Sequence, residues 1–202
     1  MAGTPKRPTI LMSTLAEALT HLLAVLDRLE IPYEIGGSVA SSAHGIPRTT
    51  LDVDIVVDLK PDQINHFAAE LSAEFYADAT LIREAFARGR AANLIHLGSV
   101  WKFDLFPLRA DEYSRTEFAR RRFRDIRPDG DAAIECSVSS AEDTILRKLE
   151  WYRAGGESSE RQWNDLRGVV KATGASLDLD YLRQWATHLK VNDLLEKLLS
   201  GQ

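Results

Sequence analysis

The sequence has very little cysteine, no long apolar run and no excess of basic residues. Its 202 residues contain one cysteine, which excludes an internal disulfide and favours the reducing cytoplasm. No run approaches the roughly 20 apolar residues that a membrane-spanning helix needs. The formal net charge of -5 argues against a basic surface made for nucleic acid, although it leaves a local basic patch open.

The composition is that of an ordinary globular chain. Hydrophobic residues make up 45% and charged residues 27%, enough for one good core or for a domain with an appendage. The start of the chain has no sustained apolar run before a cleavage site and does not predict a signal peptide. Cys136 lies in an apolar run and is expected to be a buried, inert thiol. His66 and His96 stand apart from each other and from cysteine, which gives a zinc site almost no support.

The stretch from Tyr33 to Asp58 organises the rest of the chain. Its pattern predicts a strand, a glycine turn, a short helix of small residues and a second strand. Asp52 and Asp54 stand two residues apart on that second strand, so their side chains share one face. Neighbouring half-buried carboxylates repel each other unless a cation lies between them, and oxygen ligands of this kind suit Mg²⁺.

The glycine turn, Gly36-Gly37-Ser38, has the features of a phosphate-binding site. Amide groups at the start of a helix are unpaired and carry the positive end of the helix dipole. Glycines have no Cβ to keep a phosphate away from them. Read separately, however, a Gly-Gly pair is often only a turn, and an Asp-x-Asp pattern is sometimes a solvated strand edge.

Gly-Gly-Ser, a helix and Asp-x-Asp on the next strand together resemble the nucleotidyltransferase superfamily. This polymerase-beta-like fold also contains minimal nucleotidyltransferases, drug-modifying adenylyltransferases and toxins of the AbiEii type. The resemblance implies that Gly36, Gly37 and Ser38 hold a nucleoside triphosphate and that Asp52 and Asp54 bind metal. It also implies a third carboxylate on a later strand.

Asp104 is the candidate for the third carboxylate. Two apolar runs, 93–97 and 100–108, are separated by Gly98-Ser99 and predict a hairpin. Asp104 interrupts the second run, where an unpaired charge would be unfavourable. Either metal binding or a salt bridge, to Lys102 on the same face or to an arginine elsewhere, would balance this charge. We favour metal binding, with Asp104 as a possible base.

Other polar residues near the central stretch have two interpretations each. Arg48 either contacts a phosphate or pairs with an aspartate. His44 either lines the nucleotide pocket or, as we favour, interacts with the dipole at the end of its helix. A basic stretch is either a solvated face balanced by acids such as Glu117 and Asp125 or a set of phosphate contacts; it contains Arg120, Arg121, Arg122, Arg124 and Arg127.

The predicted fold is α/β (α+β), a mixed sheet flanked by helices, with a nucleotidyltransferase-like domain at 13–138 and a C-terminal helical subdomain at 139–202. Helical periodicity is expected from Ser13, from Pro61 through Phe75, and from about 78 to 89. Ser139 and Ser140 both have capping-box spacing at the start of the C-terminal helices.

The C-terminal helices also resemble those of AbiEii-like nucleotidyltransferases, in which a lysine and an aspartate one helix later complete the nucleotide site. Carried onto this sequence, these residues are Lys148 and Asp165. A salt bridge between two helices is the equally weighted alternative.

The expected function is transfer of a nucleoside monophosphate from a nucleoside triphosphate to an acceptor hydroxyl, with Mg²⁺ or Mn²⁺ held by Asp52, Asp54 and Asp104. RNA such as tRNA, a protein or a small molecule would each fit as acceptor. A toxin restrained by an antitoxin-like partner is one rival, and a non-catalytic module that binds a nucleotide or a partner is another.

Overall fold

The computed structural model describes residues 14–47, 50, 52–130 and 132–201. Its strands are β1 Tyr33–Ile35, β2 Asp52–Val57, β3 Phe75–Tyr76, β4 Ala92–His96, β5 Lys102–Pro107, β6 Arg122–Ile126 and β7 Ile134–Val138. Its α-helices are α1 Leu15–Arg28, α2 Gly37–His44, α3 Ile64–Leu71, α4 Ala79–Ala87, α5 Glu112–Arg120, α6 Ala141–Ala154, α7 Glu160–Thr173, α8 Leu179–His188 and α9 Asn192–Leu199. No helix in these ranges is long and apolar enough to cross a membrane.

The strands form one mixed sheet in the order β3-β4-β5-β2-β1-β7-β6. The central pair, β2 and β5, is parallel, as is β1 with β7, and the remaining pairs are antiparallel. The predicted mixed sheet flanked by helices is confirmed.

Alternation along the central strands divides the sheet into an apolar face and a polar face. Val53 and Ile55 of β2 pair with Phe103 and Leu105 of β5, and all four side chains are buried. They belong to a hydrophobic core that also contains the buried faces of α1 and α3. Because side chains alternate along a strand, the aspartates between these residues point to the opposite face.

The C-terminal helices enclose a second cluster of buried side chains. It is formed by α6 to α9, with Ile145, Leu149, Leu166 and Leu195 at its centre. Tyr113 of α5 is fully buried in the same cluster, so residues before 139 also contribute to it. The division of the chain at residue 138 stays a prediction.

Several predicted element bounds differ from the structure. The helix after Pro61 ends at Leu71, and Phe75 lies in β3 because its backbone pairs with His96 at the sheet edge. The first helix is capped by Thr14 in a capping box, while Ser13 lies outside the described residues.

Side-chain caps define where the first two C-terminal helices begin. Ser140, and not Ser139, caps α6 through the amide of Asp143. The next helix begins at Glu160, where Ser159 caps it by accepting from the amide of Gln162, and Glu157 before it has a left-handed backbone with φ of 59°.

Candidate functional site

The predicted carboxylates lie on one face of the sheet, the polar one. Asp54 of β2 stands directly beside Asp104 of β5 in the parallel register, and Asp52 stands beside Lys102. Paired residues of neighbouring strands project to the same face, so the three carboxylates share one side of the sheet. Thr50 donates a hydrogen bond from its hydroxyl to Asp52 Oδ1 over 3.1 Å and helps to orient that carboxylate.

Asp104 has polar partners of its own. Lys102 Nζ lies 2.9 Å from Asp104 Oδ2, so the predicted alternative of a salt bridge is present. The side-chain amide of Asn93 donates to Asp104 Oδ1 from the adjacent strand β4. The salt bridge and the position beside Asp54 therefore occur together, and Asp104 is oriented from two sides.

The Asp54 carboxyl group has a raised pKa. Its burial is the largest cause, and the negative charges of Asp52 and Asp104 add to it, raising the pKa of Asp54 to about 6. Lys148 and Lys102 oppose that rise. A cation placed among the three carboxylates would favour the ionised form of Asp54 in the same way.

The glycine turn lies against the Asp54 carboxylate. Gly37 has φ of 54°, and a Cβ built on it would stand 1.7 Å from Asp54 Oδ2. The amide of Gly36 donates to the backbone oxygen of Asp54 over 2.9 Å, which fixes the turn to β2. Only glycine fits at position 37, because both the backbone conformation and the neighbouring carboxylate exclude a side chain.

Helix α2 begins at this turn without a side-chain cap from any residue in the described ranges. Its small side chains and Gly45 allow it to approach the C-terminal helices closely. A Cβ on Gly45 would lie 2.9 Å from the backbone nitrogen of Val169 in α7. This packing brings the beginning of α2 and the helices α6 and α7 around one space.

That space is a cavity of about 360 Å³ between the polar face of the sheet and helices α6 and α7. Its lining includes seven of the predicted site residues, namely Gly36, Gly37, Ser38, Asp52, Asp54, Lys148 and Asp165. Asp104 stands beside Asp54 but does not line the cavity, and Arg48 lies outside the described residues.

Lys148 and Asp165 form an ion pair across α6 and α7. Lys148 Nζ lies 2.8 Å from Asp165 Oδ2, and both side chains are largely buried. The helix–helix salt bridge predicted as an alternative is therefore present. The same pair lines the cavity, and the charge of Lys148 acts on Asp54, so the lysine is close enough to the carboxylates to influence them.

The cavity wall contains buried acids that the motifs miss, and Glu34 is the least exposed of those in the described lining. Glu34 of β1 is 2% exposed, and its Oε2 has no hydrogen-bond partner among the described residues. Burial first, and then the charges of Glu117 and Asp143, raise the pKa of Glu34 well above its ordinary value. A signal for it exists in the sequence, since Glu34 interrupts an apolar strand just as Asp104 does.

The cavity wall beside Glu34 is built around Arg147 of α6. Its guanidinium donates to Glu117 Oε2 over 2.7 Å, to Glu150 Oε2 over 2.8 Å and to Ser114 Oγ over 2.6 Å. The Arg147 cation is therefore paired with two carboxylates, and Arg109 Nη1 lies 3.9 Å from Glu150 Oε1 in the same wall.

The remaining candidates lie away from the cavity lining. His44 is buried, and its Nε2 lies 2.7 Å from the backbone oxygen of Ser139. Burial lowers the pKa of His44, so a neutral ring that donates to this oxygen replaces the expected charged interaction with the helix dipole. In the basic stretch, Arg120 lies 3.3 Å from both Glu142 and Asp143, so its acidic partners are not those expected.

Solved structures with the same fold are nucleotidyltransferases. ANT(2″)-Ia in complex with adenylyl-2″-tobramycin has a TM-score of 0.51 and 17% identity, covering 85% of this chain and 96% of that chain. A nucleotidyltransferase-like antigenic protein from Paracoccidioides brasiliensis has a TM-score of 0.51 and 15% identity, covering 90% and 91%. No family model and no curated protein sequence matches this chain.

Proposed function

We propose that this chain, which has the fold of the nucleotidyltransferases, transfers a nucleoside monophosphate from a nucleoside triphosphate to an acceptor hydroxyl. The observation that carries the proposal is the register of Asp54 beside Asp104, with the Gly37 backbone against the Asp54 carboxylate. The comparisons confirm the predicted fold. The AbiEii-like subtype, the toxin role and an antitoxin-like partner stay predictions.

The carboxylates Asp52, Asp54 and Asp104 have the chemistry of a Mg²⁺ or Mn²⁺ site. They are hard oxygen donors on one face of the sheet, and the pKa of Asp54 is raised first by burial and then by the charges of Asp52 and Asp104, which a cation would balance. When bound, such an ion supplies positive charge for the phosphate oxygens and lowers the pKa of the acceptor hydroxyl. Lys102 holds Asp104 in place beside the other two.

The triphosphate binds on the cavity side of the same carboxylates. The beginning of α2 presents Gly37 and Ser38 to the cavity, where backbone amides and the helix dipole favour an anion. Lys148 approaches from α6 and adds a positive charge, while Asp165 fixes the position of that lysine. The terminal phosphates are therefore held between the turn and α6.

The reaction forms one bond and breaks one. The acceptor oxygen bonds to the α-phosphorus, and the bond from that phosphorus to the bridging β-phosphate oxygen breaks, releasing pyrophosphate. The acceptor proton passes to Asp104, which Asn93 and Lys102 orient. Each carboxylate oxygen keeps a lone pair for this purpose beyond the hydrogen bond that it already accepts.

A small molecule with hydroxyl and amino groups is the acceptor that we favour. The cavity end around Glu34, Glu117 and Glu150 offers carboxyl groups, and the guanidinium groups of Arg147 and Arg109 lie against Glu117 and Glu150. Hydroxyl and amino groups would find hydrogen-bond partners there, including Glu34 Oε2, which has no partner among the described residues.

The test is transfer of label from each of the four α-³²P-labelled nucleoside triphosphates in the presence of Mg²⁺. Acceptors are bulk tRNA, the protein itself and tobramycin, which is used as a polyamine and polyhydroxyl probe. We expect labelled small molecule that Asp54→Asn abolishes and Asp58→Asn retains, because Asp58 lies at the far end of β2 and pairs with Lys60. Label on tRNA would refute the acceptor class, and nucleotide binding without any transfer would indicate the non-catalytic module.

A further inference from the structure

Two histidines and a glutamate from distant parts of the chain meet beside the edge of the sheet. His21 lies on α1, Glu74 precedes β3, and His96 ends β4. The ligand atoms that these side chains offer all lie within 4.8 Å of one another. His21 Nδ1 contacts Glu74 Oε2, and His96 Nε2 lies 3.8 Å from the same oxygen.

His96 is held rigidly for this contact. Its side chain is 5% exposed, and its Nδ1 lies 2.8 Å from Ser99 Oγ. In the tautomer that carries its proton on Nδ1 and donates it to Ser99 Oγ, the Nε2 lone pair is left on the side of Glu74. A ring nitrogen fixed by a hydrogen bond in this way is the usual arrangement around a metal-bound histidine. The Phe75 ring packs edge-on at a centroid distance of 5.0 Å and limits rotation of the imidazole.

The backbone around Glu74 is fixed to the same strand. The amide of Leu97 donates to the backbone oxygen of Glu74 over 2.8 Å, and Phe75 pairs with His96 in the antiparallel register. Glu74 and His96 therefore belong to one small unit of the sheet edge, and His21 reaches it from α1.

We infer that His21, Glu74 and His96 form a zinc site that joins α1 to the edge of the sheet. Two imidazole nitrogens and one carboxylate oxygen are a ligand set that Zn²⁺ takes, with a fourth position left for water. The side chains of His21 and Glu74 are 55% and 47% exposed, which gives the ion an entry path and leaves room for that water. The spacing in the sequence conceals the site, because its ligands come from three separate elements.

This zinc site is separate from the acidic cluster. Asn93 stands beside Asp104 on the polar face, so Leu94 and His96, which alternate with it along β4, point to the apolar face. The ion would consequently stabilise the fold without contacting the proposed nucleotide. Zinc that binds only the folded state raises the melting temperature, and this rise increases with the zinc concentration.

The experiment is calorimetric titration of ZnCl₂ into the full-length protein after dialysis against a chelator. We expect the wild type to bind zinc through the histidines, and Asp54→Asn to retain this event because the acidic cluster does not contribute to it. His21→Ala should weaken binding by about 100-fold or more, whereas His66→Ala, an exposed histidine of α3, should not change it. His21 is exposed, so its variant avoids the folding defect that substitution of the buried His96 would risk.

Histidine ring ¹⁵N chemical shifts separate coordination from other zinc binding. Zinc should shift Nδ1 of His21 and Nε2 of His96 and leave the ring of His66 unchanged, and it should raise the melting temperature of the wild type by several degrees. Unshifted rings, or equal zinc affinity in the wild type and His21→Ala, would overturn the inference and leave the cluster as an ion pair.

Discussion

Replacing Asp54 with asparagine is expected to stabilise the fold while it abolishes transfer. Burial of the carboxyl group first, and then the negative charges of Asp52 and Asp104, raise its pKa to about 6 from the ordinary 3.8. Each unit of pKa difference between folded and unfolded states corresponds to about 1.4 kcal/mol. Ionised Asp54 therefore destabilises the folded state by about 3 kcal/mol, and asparagine removes that charge.

The stabilisation that Asp54→Asn brings should depend on pH. A carboxyl whose pKa is raised on folding binds its proton more tightly in the folded state, so its unfavourable contribution is absent below about pH 4. The destabilising contribution of ionised Asp54 grows between about pH 4 and pH 6 and is complete above about pH 6. The melting temperature of Asp54→Asn should thus exceed that of the wild type by about 6–12 °C at pH 8, and the difference should nearly vanish at pH 4.

Thermal unfolding followed by circular dichroism from pH 4 to 8 measures this difference. Asp58→Asn is the matched control, because it removes an equal charge just after the end of β2 at an exposed salt bridge and should change stability by less than about 1 kcal/mol. Mg²⁺ should raise the wild-type melting temperature and reduce the difference. A variant no more stable than the wild type at pH 8, or a difference independent of pH, would refute the reasoning.

The other predictions concern the turn, the ion pair and the buried acid. Gly37→Ala should abolish transfer and lower the free energy of unfolding by about 2 kcal/mol or more, because the new Cβ would clash with Asp54. Gly89→Ala, at a position with positive φ but open space, should lower it by only about 1 kcal/mol. Equal melting temperatures for the two variants would contradict the clash with Asp54. Lys148→Met should raise KM for the triphosphate in steady-state assays and destabilise the fold by about 2–4 kcal/mol, since it removes the ion pair from the largely buried Asp165 carboxylate. An unchanged KM in the folded variant would restrict the lysine to a structural role. Glu34→Gln should be more stable than the wild type at pH 8 but not at pH 4, because the raised pKa of Glu34 means that the wild type loses stability as the pH rises. Chemical denaturation at both pH values measures the difference in free energy of unfolding, and no gain at pH 8 would contradict this prediction.

Much of the architecture follows from alternation in the sequence. The central strands read as acidic and apolar residues in turn, and this pattern places Asp52 and Asp54 on one face and Val53 and Ile55 in the core. The predicted hairpin is present as β4 and β5, which sets Asp104 in the sheet. Its place directly beside Asp54 depends on the parallel pairing of β2 and β5, which no local pattern specifies.

The contacts that the sequence does not specify are long-range ones. Glu34 has the same local signal as Asp104, yet its burial beside Glu117 depends on how α5 and α6 cover the sheet. His21, Glu74 and His96 are brought together only by the packing of α1 against the sheet edge. The exposed Trp151 lines the cavity, although its helical spacing suggests a core residue.

The most direct test of the central claim is calorimetric titration of the protein with non-hydrolysable analogues of the four nucleoside triphosphates, with and without Mg²⁺. We predict that at least one analogue binds, that binding requires the divalent ion, and that Asp54→Asn loses it while Asp58→Asn keeps it. Failure of every analogue to bind, or equal binding without Mg²⁺ and in Asp54→Asn, would contradict the claim that these carboxylates and the glycine turn form a nucleotide site.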